Sequence, residues 1–371
     1  MITLLATARH GVAFVKLYLK RSLPLSHLLR NLGRYMRVFR AHGMEVHEFF
    51  QLGLWYPMMR TEGYTRFIGW RKHIRALIHL NPVEYRCMTE NKLAFFTYCR
   101  AQNIPTPHVY ALFHPHMIDT GGIAVVSTVE GLKHFLQTGN ITSVVIKPVD
   151  GTKGQSVFVV EYAGGTFETP TGAIVTDDEL GEALQGYAYR GSRQRGFLIQ
   201  RRVRPHAATR ALSENVPFSY RVLTIRKTGE APEVVDVYAK ASRNDRTDNF
   251  HAGGFILSVD REGVCRGARL LEGGGKLLER HCDTGFVFSG WRVPFYGEAC
   301  ALALRAAEAF YFVKCVAWDI AVGGEGLSII EGNNPWNYDI QMANERGLWQ
   351  GAFEQEASRL FREGVPRSPW W

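Results

Sequence analysis

The chain of 371 residues is 46% hydrophobic and 21% charged, which excludes a disordered chain or a coiled coil and predicts two to three domain-sized units. Its formal charge of +9 is uneven: residues 1–80 hold 13 Lys/Arg against Glu45, Glu48 and Glu62, and the remainder is close to balanced. No apolar run approaches the roughly 18 residues of a membrane span, no secretory leader pattern is read, and the six cysteines form neither a C-x-x-C pair nor a zinc spacing, so a reduced, cytoplasmic protein is expected.

In chain order, Leu5, Ala8, Val12, Val15 and Leu19 recur at steps of three and four and predict a helix over residues 2–21. That stripe has two open uses: packing on the body, or lying in a membrane interface with Arg9, Lys16 and Lys20 alongside. Residues 26–80 read as short helices broken near Gly33, Gly43, Gly53 and Gly63, with no βαβ unit. Asn81-Pro82 reads as a helix start. A helix through Lys92 and Phe96 ends before Asn103–Pro107, and a strand follows over 108–112. Ser127–Glu130 is a capping box opening a helix to Gly139. Strands over 143–147 and 157–162 enclose the loop Asp150–Ser156, and Thr176–Glu179 opens another helix. Strands are expected over 197–203, 219–226 and 234–239, and a long helix over 297–313. Strands over 316–322 and 327–331 pair across Gly323–Gly326, and the tail over 348–361 is helical.

Three clusters carry chemistry. In the first, Asp150-Gly151-Thr152-Lys153-Gly154-Gln155-Ser156 is a glycine hairpin whose N–H groups suit phosphate oxygens. Lys147, three residues earlier on a strand, aims an ammonium beneath it. The pattern is not a Walker loop, because no G-K-[ST] and no helix follow. In the second, Asp319 lies within an apolar strand, and Glu331 ends the next, with Asn333 two residues on. These hard oxygens suit magnesium, which keeps room for nucleotide phosphates. In the third, Arg221 shares a strand face with Leu223 and Ile225, placed to neutralise a transferring phosphate. A surface ion pair is the plainer role, and for Arg226 the two roles weigh equally.

The ordered set Lys147, glycine hairpin, Arg221, Asp319 and Glu331-x-Asn333 resembles the ATP-grasp superfamily from about Asn91 to Gln341. Asn91-Lys92 ahead of Ile104-Pro105-Thr106-Pro107 is similar to the opening of its module. Asp248–Gly254 and Asn333–Gln341 resemble the sugar-transfer-associated, TupA-like branch, as does a basic helical front.

The resemblance implies an α+β fold, two lobes clasping ATP, after a basic, mainly helical N-terminal region. The expected division is residues 1–85 for that region, 86–198 for the first lobe and 199–371 for the second. Lys92 and Lys147 would contact the nucleotide, with Asp150 to Ser156 as a lid. Gln200, Arg201 and Val203 would lie at the adenine hinge, although Gln200-Arg201-Arg202 stands where many members carry a glutamate. Asp319, Glu331 and Asn333 would hold one or two magnesium ions, and Arg221 and Lys147 would act in catalysis.

The implied reaction is ADP-forming ligation: a carboxylate becomes an acyl phosphate and meets an amine or other nucleophile, in cell-surface polysaccharide or secondary-metabolite synthesis. A phosphotransferase on the same fold and a non-catalytic nucleotide-binding scaffold stand beside it. Expected partners are small-molecule or glycan substrates and an anionic membrane surface reached through residues 1–80, at the inner face of the membrane. No nucleic-acid motif occurs there, so no nucleic-acid partner is expected.

Overall fold

The computed structural model describes residues 4–55, 63–117, 122–151, 156–188, 196–243, 248, 253–270, 277–338 and 340–364. The basic front comprises α1 (Leu4–Lys20), α2 (Leu28–His42), α3 (Val46–Gln51) and α4 (Trp70–Leu80). Gly43, with φ of 66°, ends α2 in a left-handed turn that a Cβ would strain.

In α1 the body-packing use of the aliphatic stripe is corrected. Phe14 and Tyr18 point inward instead, fully buried. Phe14 packs against Tyr35, Phe49 and Phe50. Val12 and Leu19 are 57% and 52% exposed. Aromatic rings bury more area than aliphatic side chains, so they take the inner face and turn the stripe outward.

Asn81-Pro82 does not start a helix. Asn81 is the C-cap of α4, and Val83–Tyr85 form only a 3-10 turn. The Asn81 side chain is spent elsewhere: its Oδ1 accepts from the backbone amides of Lys314 and Cys315, and its Nδ2 donates to Cys315 O and Asn334 Oδ1. After α5 (Cys87–Glu90), the true cap is Asn91, whose Oδ1 accepts from Ala94 N to open α6 (Lys92–Ala101).

The first sheet orders its strands as β2 (Ala124–Val126), β1 (Val109–Phe113), β7 (Phe197–Arg201), β3 (Ser143–Pro148), β4 (Phe158–Ala163), β5 (Thr166–Glu168) and β6 (Ile174–Val175). Only β1–β2 is parallel among these pairs. Helices α7 (Val129–Thr138) and α8 (Asp177–Ala188) cover one face, packing Leu132, Leu136, Leu180 and Leu184 on Val144, Ile146 and Ile199. The α7 cap falls one residue later than read, on Thr128, whose hydroxyl accepts from Gly131 N. Thr176 and Glu179 form the expected reciprocal box.

The second sheet orders as β11 (Cys265–Arg269), β10 (Phe255–Val259), β9 (Pro232–Ala241), β8 (Ser219–Arg226), β12 (Cys315–Gly323) and β13 (Gly326–Asn333), all antiparallel. Alternation sends Tyr220, Val222, Trp318 and Ile320 into a core with α6 and α9 (Tyr296–Ala309). It sends Leu223, Ile225, Cys315 and Ala317 to the other face. The front and α11 (Gly351–Glu363) close that face, after the short α10 (Ile340–Ala343).

Candidate active site

Arg221, Asp319, Glu331, Lys240 and Lys147 sit where a strand pattern forces them. Arg221, Asp319 and Glu331 are register partners on β8, β12 and β13, so all three side chains leave the same face in one row. The Arg221 guanidinium holds Asp319 bidentately, with Nε to Oδ1 at 2.6 Å and a second nitrogen to Oδ2 at 2.7 Å. Lys240 on β9 adds a bond to the same Oδ2 at 3.1 Å. Burial pushes the Asp319 carboxyl up, but Arg221 and Lys240 outweigh it and hold it down at about 2. Asp319 therefore stays ionised at neutral pH.

Lys240 extends the row to Asp248, whose Oδ2 lies 3.5 Å from its ammonium and also accepts from the Ser219 hydroxyl. Sequence reasoning missed Lys240 as a site residue. The signal was present: Lys240 continues the alternation of the strand that was ended at Ala239, and lies on the Tyr238 and Asp236 side.

From the first sheet come Lys147 and the loop after it. Ile146 faces α7 and α8, so Lys147 faces the second sheet, buried with its ammonium 4.5 Å from the Phe96 ring centre. Burial, then the nearby Lys92 charge, lowers its pKa to about 7 against the partial support of Glu331. Lys92, at the start of α6, joins the two lobes. Its backbone amide donates to Val149 O, and its ammonium donates to Gly151 O at 2.9 Å and pairs with Glu331 Oε1 at 3.3 Å. Asp150 pairs with Asn91 in an isolated bridge, and Ser156 has a φ of 56°. Thr152, Lys153, Gly154 and Gln155 lie outside the described residues.

The structure thus brings together Lys92, Lys147, Asp150 and Gly151 near Glu331, and links Arg221, Asp319 and Lys240. Asn333 stands on the same strand as Glu331, paired with Ala317, and its Nδ2 donates to Ala317 O. The side chains of the expected hinge segment make contacts within the protein. The buried Gln200 side chain donates to Pro107 O, Arg201 reaches the exposed Glu325, and Val203 packs on Gly323. Arg202 binds Glu161 and Asn215. The Arg201 and Val203 contacts tie the end of β7 to the β12–β13 turn.

Among the described side chains, four cations (Arg221, Lys240, Lys92 and Lys147) meet four carboxylates (Asp319, Glu331, Asp248 and Asp150), so the formal charges of the site balance. Lys147, buried with the Lys92 charge beside it and only partly supported by Glu331, gains most from an anionic ligand. The donor set fits magnesium in one particular way. Glu331 keeps about a third of its side chain exposed, and Asn333 adds an amide oxygen, whereas Asp319 is already shared by two cations. A magnesium ion that arrives with polyphosphate oxygens needs only one or two protein carboxylates, which is what these residues offer.

The sequence profile of the sugar-transfer associated ATP-grasp family matches residues 73–355. No curated protein matches the chain. Solved structures that match the chain include the biotin carboxylase–β,γ-ATP complex from Campylobacter jejuni, at 12% identity and a TM-score of 0.44, covering 75% of this chain and 47% of that one. D-alanyl-alanine synthetase A from Vibrio cholerae has 13% identity and a TM-score of 0.41, covering 75% and 66%. The N5-carboxyaminoimidazole ribonucleotide synthetase purK with ADP has 14% identity and a TM-score of 0.38, covering 67% and 46%. The chain spans about half the length of several of these structures. Two α+β lobes, the Lys92–Glu331 join between them and a profile match across both place the chain in the sugar-transfer associated ATP-grasp family.

Proposed function

We propose that the protein is an ATP- and magnesium-dependent ligase that activates a carboxylate as an acyl phosphate and couples it to an amine or another nucleophile. The observation that carries this reading is the meeting of the two sheets at Lys92, Lys147 and Glu331, with the Arg221–Asp319–Lys240 row on the strands beside Glu331. The reading places the product in cell-surface polysaccharide or secondary-metabolite synthesis, with small-molecule or glycan substrates, as the family's sugar-transfer association suggests.

The chemistry divides among residues on the page. Lys147 regains its full charge when a phosphate displaces the apolar surroundings as its partner, and so holds the nucleotide. Arg221 and Lys240 neutralise charge as the terminal phosphoryl group passes from ADP oxygen to carboxylate oxygen. The nucleophile then attacks the acyl carbon, phosphate leaves, and the nucleophile's proton passes to solvent. Asp319 keeps the two cations in place between turnovers. Bound magnesium would add charge neutralisation at the phosphates, held by Glu331 and Asn333.

The test is a screen of amino acids and sugar acids for ADP release, followed by the mass of the product. ADP with free phosphate is expected. Glu331→Gln should keep the melting temperature and lower turnover about 100-fold or more, the scale of removing one stabiliser of transition-state charge. AMP with pyrophosphate would overturn the reading. Phosphate retained on the acceptor would make the protein a phosphotransferase.

A further inference from the structure

The outward face of α1 has no place in nucleotide chemistry. Val12 is 57% exposed and Leu19 is 52% exposed, with Ala8 beside them on the same stripe. Directly after the helix, Leu25 is 67% exposed, and Leu29 at the start of α2 is 81% exposed. Arg9, Lys16 and Lys20 are exposed on the flank of the α1 stripe, and Arg30, Arg37 and Arg40 are exposed along α2. The sequence holds no acid before Glu45. Glu48 is buried and accepts from Trp70 N and Glu45 N, and Glu45 faces Arg71, so neither offsets this face.

We propose that the α1–α2 face docks on an anionic lipid surface, with Val12, Leu19, Leu25 and Leu29 entering the headgroup region and the bases resting on lipid phosphates. An apolar strip beside a row of bases, on a helix anchored from its far side by Phe14 and Tyr18, has the form of an interfacial element. A second copy of the chain is disfavoured, because two faces of the same charge would be pressed together. A polyanion such as a nucleic acid would satisfy the bases and leave the four aliphatic side chains in water. No helix of the described residues is long and apolar enough to cross a membrane, so the contact is peripheral.

The experiment sediments the full chain with vesicles of phosphatidylcholine alone, or with phosphatidylglycerol added, at low and high salt. Binding is expected only to the anionic vesicles, and high salt should weaken it. Lys16→Gln with Lys20→Gln should lower the partition coefficient about 25-fold, since each base near an anionic surface is worth about fivefold. Val12→Ser with Leu19→Ser should remove the binding that survives high salt. All four positions are exposed, and unchanged melting temperatures check that the fold is kept. A parent protein left in the supernatant with anionic vesicles at low salt would overturn the proposal. So would equal binding to neutral vesicles. Retention on an oligonucleotide or heparin matrix without vesicle binding would assign the face to a polyanion instead.

Discussion

Lys147 is the residue at which burial and function oppose each other most directly. Its ammonium is buried against Phe96 with Lys92 nearby, and burial lowers its pKa to about 7 from the usual 10.5. Between those values the unfolded chain holds a proton that the native one gives up, so stability rises with pH through that window. The burial penalty is largest below pH 7. Lys147→Met, which keeps the volume and removes the charge, should raise the melting temperature of the ligand-free protein by roughly 5 °C at pH 6. The gain should shrink towards pH 10, and the stabilisation by added ATP should vanish. Differential scanning calorimetry across pH reads both, and a lower melting temperature at pH 6 would refute the account. Asp319 behaves oppositely. It is ionised down to about 2, so its ion pairs contribute stability above pH 4 that is lost as the pH falls through about 2.

At the scale of elements, the strands that carry the site were legible because their alternation is strong. Lys147, Arg221, Asp319 and Glu331 all fall on strands read from the sequence, and the register then sets three of them in one row. What was not legible depended on partners far along the chain. β11 reads CRGAR and becomes a strand only by pairing with β10, while Gly267 passes so close to Leu278 O that a Cβ would sit 2.8 Å from it. Asn81-Pro82 has the local form of a helix start, yet the side chain serves Lys314, Cys315 and Asn334 more than 230 residues away. No local pattern encodes that. Asn81→Ala leaves two backbone amides and a carbonyl without their partner, and should cost about 3 kcal/mol. A urea titration measures it, with an unchanged midpoint as the contrary result.

Over the whole molecule, the basic front is part of the second sheet's core and not an appendage. Phe14, Tyr18, Tyr35, Phe39 and Phe49 share one buried cluster with Leu223, Ile225, Cys315, Ala317 and Phe353. Arg221 and Asp319 leave the sheet on that same face, beyond the edge of the cluster. Loosening the front should therefore be felt at the site. Phe14→Ala should cost about 3–5 kcal/mol, as large aromatic truncations in cores do. It should also speed hydrogen exchange in β8 and β12, whereas protection confined to a change within α1 and α2 would separate the two regions.

The Asn81 contacts also set an order of events during synthesis. The front is made before the sheet that covers its aromatic face, and the elements that complete this cover, β12 and α11, lie more than 230 residues later. At roughly 5–20 residues per second, that face waits on the order of 10–50 seconds for its cover. Throughout that interval it offers a greasy, positively charged surface to whatever is near the ribosome. A nascent chain halted before Cys315 should be captured by chaperones, and released only once β12 has emerged and Asn81 can close on it.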